Sequence, residues 1–246
     1  LQVRYVSANP FIGVTADRSL AGIGMGSTQA EDVKDMQRAR DRRKSVRDRV
    51  LPQEAVDAAI TFLDGAHPTE DRPAIARMRF VFLAAVMMGL RISEIASARR
   101  DHLEYVQPDP AADLPGCWIL HVLGKRDKPR EVPVPDRLIP VLEEYLETRG
   151  LLQRPSPSLP VPPGTFLVGA LPSHTATPDG PQRSKSRSKA AGDGVRPQAI
   201  HHVLKQLFDR VLIEGRFKDE SSRDKLRRAS AHWLRHTMAT HSVAQD

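Results

Sequence analysis

A chain of 246 residues, 40% of them hydrophobic, has enough apolar material for a buried core, which excludes a disordered polypeptide. Its 37 Lys and Arg against 30 Asp and Glu give a formal net charge of +7, which turns the surface toward polyanions such as nucleic acid. The single cysteine, Cys117, excludes an internal disulfide, and no apolar run is long enough to span a bilayer, so a reducing cytoplasm without a membrane partner is the expected setting.

Residues 1–13 read as the tail of a preceding element, and residues 14–50 have the Gly, Ser and Thr content of a linker that turns basic toward its end. There Arg38, Arg40, Arg42, Arg43, Lys44, Arg47 and Arg49 crowd together, either as a solvated strap or as a contact to a DNA backbone. A helix is expected from Leu51-Pro52, with Val56, Ala59, Ile60 and Leu63 on its inner face. The run from Phe80 to Leu90 is apolar on nearly all sides and predicts a buried helix ending at Gly89. A short helix follows Arg91, with Ile95 and Ala98 turned inward.

Trp118–Leu123 and Glu131–Pro135 read as the strands of a hairpin with a basic tip formed by Lys125, Arg126, Lys128 and Arg130. Pro133 and Pro135 confine the second strand to a sheet edge. Asp136 is the expected cap of a helix with Leu138, Ile139, Leu142 and Tyr145 inside, closing at Gly150. Residues 153–195 are rich in proline and in alternating Ser and basic residues, so a disordered insertion is expected, with order only at Thr165–Val168. An amphipathic helix spans Gln198–Ile213, and a last helix starts near Ser230.

Three separated segments carry basic side chains in a fixed order. These are Gly89-Leu90-Arg91-Ile92-Ser93-Glu94-Ile95, Gly124-Lys125 at the hairpin, and His232-Trp233-Leu234-Arg235-His236-Thr237-Met238-Ala239-Thr240-His241. Together they closely resemble the catalytic domain of tyrosine recombinases, the phage integrase family that includes Xer-type enzymes. The resemblance runs over residues 51–246, and Val6–Phe11 resembles the end of that family's N-terminal core-binding domain. It implies a mainly α fold with a small antiparallel β-sheet, the tyrosine-recombinase catalytic domain fold. Material is expected to be missing at both ends of the chain.

The resemblance implies DNA integration or site-specific recombination through a 3′-phosphotyrosyl intermediate, on double-stranded DNA and without a cofactor. By motif position Arg91 and Arg235 bind the non-bridging phosphate oxygens, Lys125 protonates the leaving 5′ oxygen, and His232 serves in proton transfer or in support of the phosphate. Two permanently charged, bidentate guanidiniums suit a phosphorane, so no metal is called for. Arg43, Lys44, Arg126, Lys128 and Arg130 are the expected DNA contacts. The tyrosines Tyr5, Tyr105 and Tyr145 do not occupy the nucleophile position, so an inactive DNA-binding fragment or degenerate relative is the alternative function. The intact family is expected to assemble protomer on protomer on DNA, and this chain to be a monomer. His232 and His236 have the i, i+4 spacing of a zinc pair, yet no glutamate or second ligand cluster accompanies them.

Overall fold

In the computed structural model the described residues are 48–65, 67, 71–107, 116–124, 127–152, 159, 161–171 and 194–243. Helix α1 (Gln53–Asp64) buries Ala55, Val56, Ala59, Phe62 and Leu63, the three- and four-residue spacing of one helical face. Helix α2 (Arg72–Met88) begins with a proline in its first turn, where a missing N–H leaves no gap, and buries residues on most of its circumference. It ends at Gly89, whose φ of 59° is left-handed and reverses the chain toward Arg91. Helix α3 (Ile92–Ser97) follows after two residues and buries Glu94, Ile95 and Ala96.

Three strands, β1 (Leu103–Val106), β2 (Cys117–Leu123) and β3 (Pro129–Val134), form an antiparallel sheet in the order β1-β2-β3. Leu103, Leu120 and Val132 stand opposite one another across the three strands and all are buried. Pro133 lies in an outer strand, as its missing N–H requires. β1 has no counterpart in the sequence reading because only Leu103 of its four residues is buried, too few for an alternating pattern to register.

Helix α4 (Ile139–Thr148) buries Val141, Leu142, Tyr145 and Leu146. Asp136 does not cap it: residues Asp136–Leu138 form a 3-10 turn closed by the Leu138 N–H on the Pro135 carbonyl at 2.8 Å, and no side chain caps α4. The expected ordered island at Thr165–Val168 is larger, since Leu159, Val161, Leu167 and Val168 are all buried. The island is fastened by backbone bonds from Arg100 N–H to Thr165 and from Leu167 N–H to Ala98, and by the Arg149 guanidinium on the Phe166 carbonyl at 2.8 Å.

Helix α5 (Pro197–Glu214) is the central strut, packing on α1, α2 and α3 through Ile200, Val203, Leu204, Leu207, Phe208 and Val211. Helix α6 (Glu220–Arg228) also escapes sequence reading because its strongly polar stretch buries only Ser222 and Leu226. The Asp219 carboxylate caps it, accepting from the N–H groups of Ser221 and Ser222 at 3.1 and 3.2 Å. Helix α7 (Ala231–Val243) lies against α2 and presents the last motif beside the first. Among the described residues no helix is long and apolar enough to cross a membrane.

Candidate active site

The α2–α3 turn, the sheet edge and α7 meet at one carboxylate. Glu94 is 2% exposed, and it is held in the first turn of α3 by the Arg91 backbone N–H, 2.8 Å from Oε2. Arg91 Nη1 donates to Glu94 Oε1 at 2.8 Å, and Arg130 Nη2 donates to Oε2 at 2.7 Å. Arg235 Nη1 stands 3.8 Å from the same Oε2 and donates to the Gly89 carbonyl at 2.8 Å. Three guanidiniums therefore crowd round one buried carboxylate, an excess of positive charge that an anion from outside would offset.

Local sequence explains each placement. The left-handed Gly89 turns the chain so that its carbonyl faces α7, and a Cβ there would stand 3.0 Å from Met238 Cε. Glu94, in the first turn of α3, takes the otherwise orphaned N–H of Arg91. Arg130 pairs with Val122 in the β2–β3 register, and Val122 faces the core, so its guanidinium is directed inward. On α7, Leu234 and Thr237 are buried, which leaves Arg235 half-buried between core and surface.

The ionisation balance follows from this crowding. Burial pushes the Glu94 carboxyl upward, but the Arg91 N–H and the Arg130 and Arg91 guanidiniums outweigh it and hold the group below the usual carboxylate range. Burial and the positive charges of Arg91 and Arg130 lower the proton affinity of Arg235, partly offset by Glu94. A guanidinium stays charged under such pressure.

Of the residues expected from sequence, Arg91 and Arg235 converge through Glu94, although 143 intervening residues separate them in the chain. Lys125 and Arg126 lie outside the described residues, as do Arg43 and Lys44. The root of their turn reaches the site: a Cβ on Gly124 would stand 3.9 Å from both Arg91 Nη1 and Glu94 Oε1. Lys128 is exposed. Arg130, expected as a DNA contact, is bonded to Glu94 within the site. His232 is exposed on α7, its Nε2 2.9 Å from Nε2 of His236. Glu94 itself was not among the expected site residues. Its signal was an acid three residues after Arg91, in a first turn flanked by Ile92, Ile95 and Ala96. Among the described residues no group of three or more His, Cys, Asp or Glu could hold a metal ion.

The fold that carries this cluster is that of site-specific recombinase catalytic domains. Two crystal structures of the XerH site-specific recombinase, a post-cleavage complex with palindromic difH substrate and a pre-cleavage complex with difH, match it with TM-scores of 0.51 and 0.50. Both are 18% identical in sequence; each match covers 80% of this chain and 42% or 43% of the other. In sequence, the tyrosine recombinase XerC of Pseudomonas fluorescens strain Pf-5 is 29% identical over 160 residues, 65% of this chain and 46% of that protein. A tyrosine recombinase of Thermosipho africanus is 27% identical over 99 residues, 40% of this chain and 31% of that protein. No family model matches the sequence. The chain spans less than half the length of these relatives, and the likenesses in sequence and fold together support a tyrosine recombinase catalytic domain.

Proposed function

We propose that residues 51–246 are the phosphate-activating catalytic domain of a DNA site-specific recombinase, with Arg91 and Arg235 as the pair that grips the scissile phosphate. The observation that carries this reading is the convergence of both guanidiniums, with Arg130, on the single buried carboxylate of Glu94. Glu94 orients the planar groups and leaves their remaining N–H donors for non-bridging oxygens, whose charge rises as phosphorus becomes five-coordinate. A tyrosine hydroxyl attacks phosphorus, the bond to the 5′ oxygen breaks, and Lys125 delivers the proton that the leaving oxygen takes up. His232 supports proton transfer at the attacking side.

The nucleophile is not supplied by Tyr105 or Tyr145. Tyr145 is fully buried, its hydroxyl donating to the Gly169 carbonyl at 3.1 Å and accepting from the Gly169 N–H at 3.2 Å. Tyr105 lies on the outer strand β1 against Trp118, ring centroids 5.3 Å apart. On this reading the 246 residues bind duplex DNA as monomers and form no phosphotyrosyl bond, since Tyr5 lies outside the nucleophile's motif position as well. A covalent protein–DNA adduct on a denaturing gel, from this chain and a nicked duplex, would sink that statement.

Salt titration of duplex binding by fluorescence anisotropy tests the phosphate grip. Each neutralised phosphate contributes about 0.9 to the slope of log affinity against log salt. R91A and R235A are each expected to lower the slope by about one contact and to weaken binding at every sequence. Arg72 begins the helix whose far end carries the site, roughly 25 Å away along the axis. R72A is therefore the control, and slopes for R91A and R235A equal to that of R72A would overturn the assignment.

A further inference from the structure

The three guanidiniums of the site spend their donors differently. Arg91 and Arg235 each commit Nη1, the first to Glu94 Oε1 and the second to the Gly89 carbonyl, both at 2.8 Å. Each therefore keeps its Nε–Nη2 fork, the edge that binds two phosphate oxygens side by side, without a partner among the described residues. Arg130 commits the other nitrogen. Its Nη2 donates to Glu94 Oε2 at 2.7 Å and its Nε is buried without a hydrogen-bond partner, so the same fork is closed to an anion from outside. The strand dictates this: Arg130 alternates with Val132 and Val134, both buried, and shares their side of β3.

The oxygen that Arg130 fills is the one Arg235 approaches. Oε2 accepts from the Arg91 backbone N–H at 2.8 Å and from Arg130 Nη2 at 2.7 Å, which occupies both of its lone pairs. Arg235 Nη1 stops 3.8 Å from it, beyond hydrogen-bond distance, and bonds the Gly89 carbonyl instead. We propose that Arg130 is a positioning residue: by filling Glu94 Oε2 it keeps Arg235 from closing on the carboxylate and leaves the Arg235 fork for an incoming phosphate. With Oε2 open, a charge-assisted bond would draw the Arg235 guanidinium in by about 1 Å and turn it toward Glu94. A displacement of that size is enough to spoil a grip set in advance for a reacting group.

The inference rests on the phosphate grip proposed for Arg235, but its first test does not. Crystal structures of the 246-residue chain carrying R130M are expected to show Arg235 Nη1 moved from 3.8 Å to about 2.7–3.2 Å from Glu94 Oε2. R130K, whose ammonium refills the oxygen, is expected to keep the wild-type separation. Where the methionine variant does not fold, R130Q, too short to reach Oε2, carries the same expectation as R130M. Arg235 unmoved in R130M or R130Q, or moved equally in R130K, overturns the proposal. In duplex binding the fold-loss caused by R235A is expected to shrink in an R130M background and to return in R130K. An R235A loss of one size in all three backgrounds would mean that Arg130 acts apart from Arg235, which equally overturns it. R235A without effect in the wild-type background would instead strike the phosphate reading, and the place of Arg235 in the R130M crystals would still decide the role of Arg130.

Discussion

Glu94 is a buried carboxylate at the centre of three cations, in a site proposed to take a phosphate. Arg91, Arg130 and Arg235 are each about a third exposed, while Glu94 is 2% exposed. Removing the carboxylate leaves three guanidiniums repelling one another with no internal partner, and breaking such a set costs about 3–5 kcal/mol when fully buried. Because the partners reach solvent, E94A is expected near the low end, about 3 kcal/mol, read from urea unfolding. The held-down carboxyl also sets a pH dependence. A carboxyl with a folded proton affinity below its unfolded value contributes stability above the unfolded range and loses it as pH falls through the folded one. Acid unfolding should therefore shift less steeply for E94Q than for wild type below the ordinary carboxylate range, and equal pH slopes would contradict the network.

At the scale of elements, the site depends on how α7 is pinned. Thr237 is fully buried, its hydroxyl accepting from the Leu51 N–H at 2.9 Å and donating to the Trp233 carbonyl at 2.9 Å. That bond joins α7 to Leu51, two residues before α1, and Arg235 lies two residues away on the same helix. T237V keeps the shape and deletes the acceptor, leaving a buried N–H unpaired at a cost of about 1–3 kcal/mol. T237S should recover most of it, and a valine variant as stable as wild type would show that Leu51 finds another partner. The opposite contact is at Gly89, where G89A places a side chain at φ 59° and 3.0 Å from Met238 Cε. The left-handed strain alone is about 1–2 kcal/mol, and Met238 is flexible enough to yield, so thermal unfolding should report that loss and little more.

The same elements explain what a reader of the sequence could and could not see. The buried helix ending at Gly89, the hairpin and the amphipathic Gln198–Ile213 helix were legible because dense apolar periodicity and a glycine stop act locally. Arg91 and Arg235 stood out in the sequence because their neighbours resemble a family motif, whereas their meeting at Glu94 came only with the packing of α7 on α2. β1 and α6 were not, since each rests on one or two buried residues and on contacts far along the chain. The bond from Arg130 to Glu94 was hidden for a similar reason: the outward or inward sense of a strand residue depends on a register that only the paired strands fix.

For the whole molecule, the distribution of charge sets how DNA would be held on the proposed reading. The site carries a local excess of positive charge, and a second concentration lies in sequence at Arg38, Arg40, Arg42, Arg43 and Lys44, with Asp41 the one acid among them. Phosphate contacts are sequence-blind, and binding built from them typically falls at about 10⁻⁴–10⁻⁶ M under physiological salt. We expect the 246 residues to bind any duplex in that range, with the basic strap acting independently of the arginine site. Neutralising Arg43 and Lys44 together should then lower the salt slope by about two contacts, close to 1.8 in slope. In combination with R235A the two losses are expected to add, the outcome for groups that meet separate phosphates. An unchanged slope for the strap variant would mean that these bases stay in solvent. A combined loss smaller than the sum would mean that strap and site grip the same phosphates.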